Sequence, residues 1–321
     1  MKILNFGSLN IDRVYRVAHL VRAGETISSL GYQCFPGGKG LNQSIAAARA
    51  GQQVYHAGCI GADGAFLLDT LREGGVDTRY VKNTGGITGH ALIQVDDGGE
   101  NCIILYPGSN FENEEAYVDQ VLSDFEGPDI LLLQNEINGL ESLLKKGQER
   151  GMRIMLNPSP MDEFLKQMDL SAVTWLMVNE TEGCELTGET SPDRITEVLL
   201  QKYLDMKVVL TLGGQGAVYR DSREYLSQPA YPVTPVDTTA AGDTFTGYFI
   251  AAEAEGKETA EALRLAAMAA AIAVSGQGAS VSIPKREQVE ERLRQAEGKN
   301  GGGRRIFAFS PPAPPPAAAA R

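Results

Sequence analysis

Short apolar runs recur along the chain, with helix-like stretches between them. Several runs are apolar at successive positions and do not alternate with polar residues, as expected for strands covered on both faces. They are KILNFG at 2–7, VYHAGCIG at 54–61, DILLLQ at 129–134, RIMLN at 153–157, WLMVN at 175–179 and VVLTLGG at 208–214. This rhythm predicts an α/β fold, in which a doubly wound, mostly parallel sheet is flanked by helices.

Polar residues stand at or just after the carboxyl ends of these runs. The positions are Gly7 with Asn10 and Asp12, Gln134 with Glu136, Asn157, Asn179 with Glu182, and Thr211 with Gly213. Because the carboxyl ends of parallel strands meet at one edge of a sheet, the pattern predicts a ligand site along that edge.

Two segments interrupt the rhythm, residues 11–37 and 87–108. Both read as β-rich, and the second is expected to be a hairpin that turns at residues 97–99. Since both end close to glycine-rich turns, we predict that they pair into a small β-sheet lid over the site, and that the lid forms a homodimer. The α/β core then comprises residues 1–10, 38–86 and 109–297. Residues 298–321 are rich in Gly, Pro and Ala and are expected to be a disordered tail.

Composition and charge narrow the range of functions. A chain of 321 residues can bury a large core, as one domain or two. The formal net charge of −12 disfavours a nucleic-acid partner, which is normally met by a basic face. No apolar run approaches the ~20 residues that span a bilayer, and the N-terminus does not have a signal-peptide pattern. We therefore expect a cytoplasmic protein that acts on small molecules, with no membrane or nucleic-acid partner.

The cysteines and histidines give little support to a metal cluster. The three histidines are isolated in sequence, and the cysteines are far apart at Cys34, Cys59, Cys102 and Cys184. This spacing fits neither a zinc site nor a disulfide scaffold, so the cysteines are expected to be buried free thiols.

The stretch FPGGKGLNQSIAAARAG at 35–51 looks like a phosphate-binding loop, because glycines surround a lysine ahead of a helical run. A Walker loop needs Ser or Thr after the lysine as a magnesium ligand, and Gly40 follows Lys39 here. The stretch is therefore expected to hold something other than a nucleotide phosphate.

The stretch VDTTAAGDTFTGYFIAA at 236–252 carries the most chemical information. Ala240, Ala241 and Gly242 lead into Asp243 and an apolar helical run. Unpaired N–H groups at a helix N-terminus can bind an anion, and small side chains let it approach. The helix dipole also favours an ionised Asp243, which could accept a proton from an attacking hydroxyl. The alternative is that Asp243 merely caps the helix.

Five motifs resemble, in order, the signatures of the ribokinase/PfkB family of sugar kinases. They are GSLNID at 7–12, PGGKGLNQ at 36–43, NETE at 179–182, TLGGQG at 211–216 and DTTAAGDTFTG at 237–247. The resemblance covers essentially residues 3–290. It implies a kinase that transfers the γ-phosphate of ATP to the 5-hydroxyl of D-ribose. Deoxyribose, another pentose or ketose, or a nucleoside are the alternative substrates within the family.

The resemblance also implies roles for particular residues. Asp243 matches the general base, and the N–H groups of Ala240, Ala241, Gly242 and Asp243 match an anion hole for the transferring phosphoryl group. The positions that match sugar-binding residues are Asn10, Asp12, Gly38, Lys39, Gly40, Asn42 and Glu136, together with Asp243. For Lys39 a structural or solvent-facing side chain is the alternative.

Nucleotide and metal sites follow from the same resemblance. The positions that match nucleotide-binding residues are Asn179, Thr211, Gly213, Gly214, Gly216 and Gly242. Mg²⁺ is expected to bind through phosphate oxygens and water that Asn179 and Glu182 organise, although Glu182 could instead be an ordinary first-turn helix carboxylate. The positions that match a monovalent-cation site, expected to take K⁺, are Asp237, Thr239, Ala273, Gly276, Gly278 and Ser282.

Two positions depart from the family pattern. Gly214 stands where serine is common, which removes a hydroxyl contact to phosphate. Leu41 stands where alanine is usual, which is expected to alter substrate preference.

Two functions of other classes compete with the kinase. A non-catalytic sugar sensor would be expected to lose Asp243 or Gly242, and an NAD-dependent oxidoreductase would need Gly-x-Gly-x-x-Gly after the first strand, where GSLNID stands.

Overall fold

The computed structural model describes residues 1–300 and 307–309. The strands are β1 (Ile3–Phe6), β2 (Asn10–Arg16), β3 (Gly31–Gly37), β4 (Val54–Ile60), β5 (Asp77–Asn83), β6 (Gly89–Val95), β7 (Asn101–Tyr106), β8 (Ile130–Gln134), β9 (Arg153–Asn157), β10 (Trp175–Asn179), β11 (Lys207–Thr211), β12 (Gly216–Arg220), β13 (Tyr225–Pro229) and β14 (Phe307–Phe309). The helices are α1 (Lys39–Arg49), α2 (Ala65–Glu73), α3 (Glu115–Leu122), α4 (Leu140–Glu149), α5 (Glu163–Gln167), α6 (Glu180–Thr187), α7 (Pro192–Lys202), α8 (Ala241–Ala254), α9 (Thr259–Ala273), α10 (Ala279–Ser282) and α11 (Arg286–Asn300). Two 3₁₀ turns, Gly108–Phe111 and Gly213–Gln215, complete the regular elements of the described residues.

The large sheet confirms the predicted α/β class. Its order is β14-β13-β12-β11-β10-β9-β8-β1-β4-β5, with parallel pairs from β11 to β5 and antiparallel pairs from β11 to β14. The six apolar runs form β1, β4, β8, β9, β10 and β11. The sequence pattern missed β5, β12 and β13, which are less apolar and lie toward the two ends of the sheet.

Helices cover both faces of this sheet, which explains the unbroken apolar runs. In β1, Ile3 packs into one hydrophobic cluster and the next residue, Leu4, packs into the other. The first cluster includes residues of α1, α2, α8, α9 and α11, and the second includes residues of α3, α4, α5 and α7. Because successive strand residues point to opposite faces, a strand between two helical layers is apolar at every position.

A smaller, separate sheet is present, with the order β3-β2-β6-β7. Strands β6 and β7 form the predicted hairpin, in which the Gly99 N–H donates to Asp96 O at 3.0 Å. The edge strand β7 is exposed along its whole length, including its four large apolar side chains, Ile103, Ile104, Leu105 and Tyr106.

The predicted tail, residues 298–321, falls mostly outside the described residues. Helix α11 continues to Asn300, and β14 pairs antiparallel with β13 at the end of the large sheet. Residues 301–306 and 310–321 are not described. None of the described helices is long and apolar enough to cross a membrane.

The prediction of buried thiols is wrong for two of the four cysteines. Cys59 is buried and Cys184 is half-buried, but Cys34 and Cys102 are exposed on the smaller sheet. Strand β7, which carries Cys102, is exposed along its whole length, and β3, which carries Cys34, is exposed from Gly31 to Phe35. All four are free thiols.

Candidate active site

Asp243 lies in the first turn of α8 and does not cap the helix. The capping position is Ala240, which has φ 59° and is the one described non-glycine residue with a positive φ. The Asp243 carboxylate accepts two hydrogen bonds from side-chain amides of α1. Asn42 Nδ2 donates to Oδ2 at 3.0 Å, and Gln43 Nε2 donates to Oδ1 at 2.9 Å. The capping alternative for Asp243 is therefore wrong.

Helices α1 and α8 approach closely enough for these bonds because small residues face each other between them. Gly247, one turn after Asp243, faces Ala46 and Ala47, one turn after Asn42 and Gln43. A Cβ at Gly247 would lie 2.7 Å from the Ala47 nitrogen, well inside contact distance. Residues four apart share a helix face. The close packing at Gly247 therefore brings the polar side chains together one turn nearer the N-termini of the two helices.

The glycine-rich loop begins α1 and folds against the chain that follows β1. Gly38, at φ 96°, is the residue before the helix, and a Cβ on Gly40 would lie 2.6 Å from the Gly7 carbonyl carbon. The Gly40 N–H donates to Ser8 Oγ at 3.2 Å. Glycine is required at these two positions because the first has a left-handed conformation and the second touches backbone directly.

Glu136, just after β8, faces the N-terminus of α1. Its Oε2 accepts from the Lys39 N–H at 2.9 Å and from the Ser8 hydroxyl. A carboxylate at this point is favoured by the unpaired N–H groups of the helix start. Glu136 therefore joins the segment after β1 to the glycine-rich loop.

Asn10 is held by a residue that the sequence reasoning missed. Asn110, 2% exposed in the 3₁₀ turn after β7, donates from Nδ2 to Asn10 Oδ1 at 2.7 Å and accepts from the Leu9 N–H at 2.9 Å. The amide of Asn10 is thereby oriented with its oxygen toward Asn110, so its NH₂ group is the end that remains for a ligand. The sequence signal was the polar residue directly after a predicted lid strand.

Asp12, Glu136, Asp243 and Lys39 form one electrostatic cluster. Burial raises the pKa of Asp12 to about 7, with further contributions from the charges of Glu136 and Asp243, and the Lys39 charge opposes the shift. Burial also raises the pKa of Glu136. Burial by itself lowers the pKa of the Lys39 ammonium, but four nearby carboxylates, led by Asp243, outweigh it and raise that pKa. Lys39 is therefore the counter-ion of this cluster, and the residue is half-buried.

Two adjoining cavities open at the N-terminus of α8. A polar cavity of about 240 Å³ is lined by Lys39, Asn157, Ser159, Met177, Val178, Asn179, Glu182, Thr211, Thr238, Ala240, Ala241, Gly242, Asp243 and Thr246. A more apolar cavity of about 370 Å³ shares Thr211, Thr238, Ala241 and Gly242 with it. Gly213, Gly214 and Gly216, predicted to contact nucleotide, line this second cavity with Phe245 and Tyr231.

The two departures from the family pattern have different outcomes. At Gly214 an added Cβ would meet no atom within 4 Å, so a larger side chain fits there. Leu41 is 0% exposed and packs in the hydrophobic cluster of α1 and α8. Its position on α1 turns it into the core, so any effect on substrate preference would be indirect, and that expectation stays a prediction.

Asn179 and Glu182 form a reciprocal capping box at the start of α6. Asn179 Oδ1 accepts from the Glu182 N–H at 2.9 Å, and Glu182 Oε2 accepts from the Asn179 N–H at 3.0 Å. Glu182 is thus a first-turn carboxylate, as the alternative stated, and it also lines the polar cavity. No group of three or more His, Cys, Asp or Glu residues that could hold a metal occurs among the described residues.

The residues matched to a monovalent-cation site lie together beside α8. Asp237 Oδ1 accepts from the Thr239 N–H at 2.9 Å, and Oδ2 accepts from the Gly278 N–H at 3.0 Å. Burial alone raises the pKa of Asp237, but these hydrogen bonds outweigh it and the pKa lies below its ordinary value. Gly276 donates to Ala273 O at 3.1 Å, and a Cβ on Gly276 would lie 3.1 Å from Ser282 Cβ.

Comparison with known proteins supports a common origin for these features. The model of the pfkB family of carbohydrate kinases matches residues 1–286. Ribokinase of Haemophilus influenzae is 36% identical over 300 residues, which cover 90% of this chain and 97% of that protein. Ribokinase of Bacillus subtilis is 37% identical over 294 residues, covering 89% and 97%. The structure of Arabidopsis thaliana ribokinase complexed with ribose and ATP superposes with a TM-score of 0.81 at 30% identity, covering 91% of this chain and 98% of that one.

Proposed function

This chain belongs to the pfkB family of carbohydrate kinases, and we propose that it transfers the γ-phosphate of ATP to the 5-hydroxyl of D-ribose. The observation that carries the proposal is the Asp243 carboxylate, which α1 amides hold at the N-terminus of α8 beside the polar cavity. Several relatives at 32–37% identity are ribokinases, which favours ribose over deoxyribose, a ketose or a nucleoside.

The proposed reaction begins when Asp243 accepts the proton of the sugar hydroxyl. The hydroxyl oxygen forms a bond to the γ-phosphorus as the bond from that phosphorus to the β–γ bridging oxygen breaks, and ADP leaves with the bonding electrons. N–H groups at residues 240–243 bind the charge of the transferring group, because a helix N-terminus stabilises an anion. One of them, the Ala241 N–H, also contacts Thr238 O at 3.3 Å.

We assign sugar binding to the segments on the other side of Asp243. Asn10 offers its NH₂ group, and Asp12 and Glu136 offer carboxylate oxygens, a combination that suits hydroxyls, which both donate and accept. Gly38, Gly40 and Asn42 line the loop at the start of α1, and Asn42 Oδ1 is buried with no hydrogen-bond partner in the described structure. That oxygen is the acceptor we propose for a substrate hydroxyl.

We assign the nucleotide to the two adjoining cavities. The more apolar cavity suits the base, with Thr211, Gly213, Gly214 and Gly216 beside the ribose and phosphates. The polar cavity, with Asn179 and Gly242 in its lining, suits the γ-phosphate next to Asp243. We propose that the enzyme is cytoplasmic, because ATP is abundant in that compartment.

Two cations belong to the proposal. Mg²⁺ would bind ATP oxygens and water, with Glu182 next to its water shell, which fits a cavity with two carboxylates, Glu182 and Asp243, and an ion that keeps several waters. When bound, Mg²⁺ would neutralise phosphate charge.

K⁺ would be held by oxygens around Asp237 and Thr239 and by the backbone at Ala273, Gly276, Gly278 and Ser282. Unchanged turnover when potassium is replaced by a large organic cation would overturn the potassium assignment.

We propose that the smaller sheet is a lid that closes over the sugar, and that it forms a homodimer. Its strand β2 carries Asn10 and Asp12, so the sheet begins at the sugar site. The exposed apolar side chains of β7 are the surface we assign to the second copy.

An ADP-release assay with a panel of sugars and nucleosides tests the function. We expect D-ribose to give the highest kcat/KM, with 5-phosphorylated sugar identified by mass spectrometry and NMR. A higher kcat/KM for deoxyribose, a ketose or a nucleoside would reassign the substrate within the family. Sugar binding without any ADP release would support the non-catalytic sensor.

A further inference from the structure

A chain of buried polar side chains runs through the sheet beneath Asp243. Gln43, Gln134, Asn5, Ser44 and His56 are each 0% exposed. Gln134 Nε2 donates to Gln43 Oε1 at 2.7 Å and to Asn5 Oδ1 at 3.1 Å. Asn5 Nδ2 donates to Ser44 Oγ at 2.8 Å, and Ser44 Oγ lies 2.8 Å from His56 Nδ1. Side chains of this type at the centre of an apolar sheet need a reason, since buried polar groups are costly unless paired.

The hydrogen bonds fix which way each amide faces. Asn5 donates from Nδ2 to Gly40 O at 2.7 Å as well as to Ser44, so its oxygen faces Gln134. Gln134 must then present its NH₂ group, which the Gln43 oxygen accepts. As a result Gln43 has only its NH₂ group left for Asp243, and it cannot flip without facing donor to donor.

The network has no charge of its own near neutral pH. Burial lowers the pKa of His56 to about 4, so its ring is neutral. The Gln43 NH₂ group also donates to Asn157 Oδ1 at 3.3 Å, and Asn157 donates to Met177 O at 3.0 Å. These fixed dipoles therefore end at the Asp243 carboxylate, which accepts from the Gln43 NH₂ group.

We infer that Gln43 is a positioning residue for Asp243, and that Gln134 acts through Gln43 by fixing the direction of its amide. Gln43 holds one carboxylate oxygen in place and favours the ionised carboxylate, which leaves Asp243 poised to accept the hydroxyl proton. Both glutamines are 0% exposed and neither lines either of the two cavities, so we assign neither a contact with sugar or nucleotide. The inference rests on the proposed role of Asp243 as general base.

The test is Gln43→Met, which keeps the length of the side chain and removes its donor. We expect kcat to fall about 10- to 100-fold, the effect of losing a hydrogen bond to a charged group, while KM for the sugar changes much less. Gln134→Met should cause smaller changes in the same direction, and it keeps the test open if Gln43→Met does not fold.

A double-mutant cycle separates positioning from a general loss of structure. If Gln43 acts only through the Asp243 carboxylate, then adding Gln43→Met to Asp243→Asn causes no further loss of turnover. Thr196→Val is the matched control, because Thr196 is 0% exposed on α7 and its hydroxyl donates to Pro192 O and Asp193 O, both at 3.0 Å. It should lower Tm and leave kcat unchanged.

The outcomes distinguish this inference from the proposed function. Folded Gln43→Met and Gln134→Met proteins with the wild-type kcat would overturn the inference, and so would additive losses in the double mutant. In both cases a large loss in Asp243→Asn alone would leave the general base intact. Near-normal turnover of Asp243→Asn would instead overturn the role of Asp243, and the inference with it.

Discussion

Gly247 of α8 lies against Ala46 of α1 so closely that a methyl group on the glycine would overlap the alanine side chain. Two backbone atoms of α1 would also lie too close to the added carbon, the Ala47 nitrogen at 2.7 Å and the Gln43 carbonyl oxygen at 2.9 Å. Since Asp243 is one helical turn before Gly247, the contact that joins the two helices also sets the distance from Asp243 to its amide donors.

Gly247→Ala should therefore lower both stability and turnover. Alanine is the better helix former by about 1 kcal/mol, but overpacking costs about 1–3 kcal/mol, so we expect Tm to fall. A displacement of about 1 Å at a reacting group can cost about 10²-fold, so kcat should fall more than the stability loss suggests. Calorimetry and steady-state kinetics measure the two effects. Adding Ala46→Gly should recover part of each, and wild-type Tm and kcat in Gly247→Ala would show that the helices adjust freely.

Asp243→Asn should lower turnover by about 10²–10⁴-fold, the range for a positioned general base. Both carboxylate oxygens accept from amide NH₂ groups, so the new NH₂ group of asparagine must face one donor. We therefore also expect a lower Tm. Binding of the sugar, measured by calorimetry, should persist. Turnover near that of the wild type would show that another group removes the proton.

Asp12 should make the stability of the protein depend on pH. In the folded chain its pKa is raised from 3.8 to about 7 by burial and by the charges of Glu136 and Asp243. Between these two values the folded state holds a proton that the unfolded state has lost, so this group reduces stability as pH rises toward 7. Asp12→Asn should then raise Tm at pH 8 and change it little near pH 4. An equal shift at both pH values would contradict this account.

The same group should tie sugar affinity to pH. If ionised Asp12 accepts from the sugar hydroxyls, KM for the sugar in the wild type should rise as pH falls below about 7, the pKa of Asp12. In Asp12→Asn the KM should be higher at pH 8 and nearly constant from pH 6 to 8. Initial-rate measurements over this range check both statements. A KM that is constant in the wild type would mean that Asp12 does not take part as a carboxylate.

The core strands could be predicted from sequence because a strand that is buried on both faces is an unbroken apolar run, which is a direct mark of its burial. Strands β12 and β13 lie at the margin of the sheet and have no such mark. In the site, motif spacing identified Asp243 but not its support. The sequence places Gln134 at the predicted ligand edge and Gln43 in the glycine-rich stretch, but their pairing across 91 residues exists only once β8 and α1 are packed together.

Strand β7 should hold the proposed dimer together. Ile104 is 60% exposed and sits among other exposed apolar residues of the smaller sheet. Ile104→Lys places a charge on that surface, so we expect the dimer to dissociate, as measured by analytical ultracentrifugation. Phe164→Lys is the control, because Phe164 is 62% exposed on α5, outside the smaller sheet. A wild-type protein that is monomeric at micromolar concentration would rule out the dimer.

Gly214→Ser should strengthen nucleotide binding. The position lines the more apolar cavity, and an added Cβ would meet no atom within 4 Å, so serine fits without displacing a neighbour. One new neutral hydrogen bond to a ribose oxygen contributes about 0.5–1.5 kcal/mol, which lowers KM for ATP by about 2- to 12-fold. Gly214→Ala has the same Cβ and backbone preference without the hydroxyl, so it should leave KM for ATP near the wild-type value. Equal effects of the two substitutions would assign the change to the backbone, because a hydroxyl contact requires that serine and alanine differ.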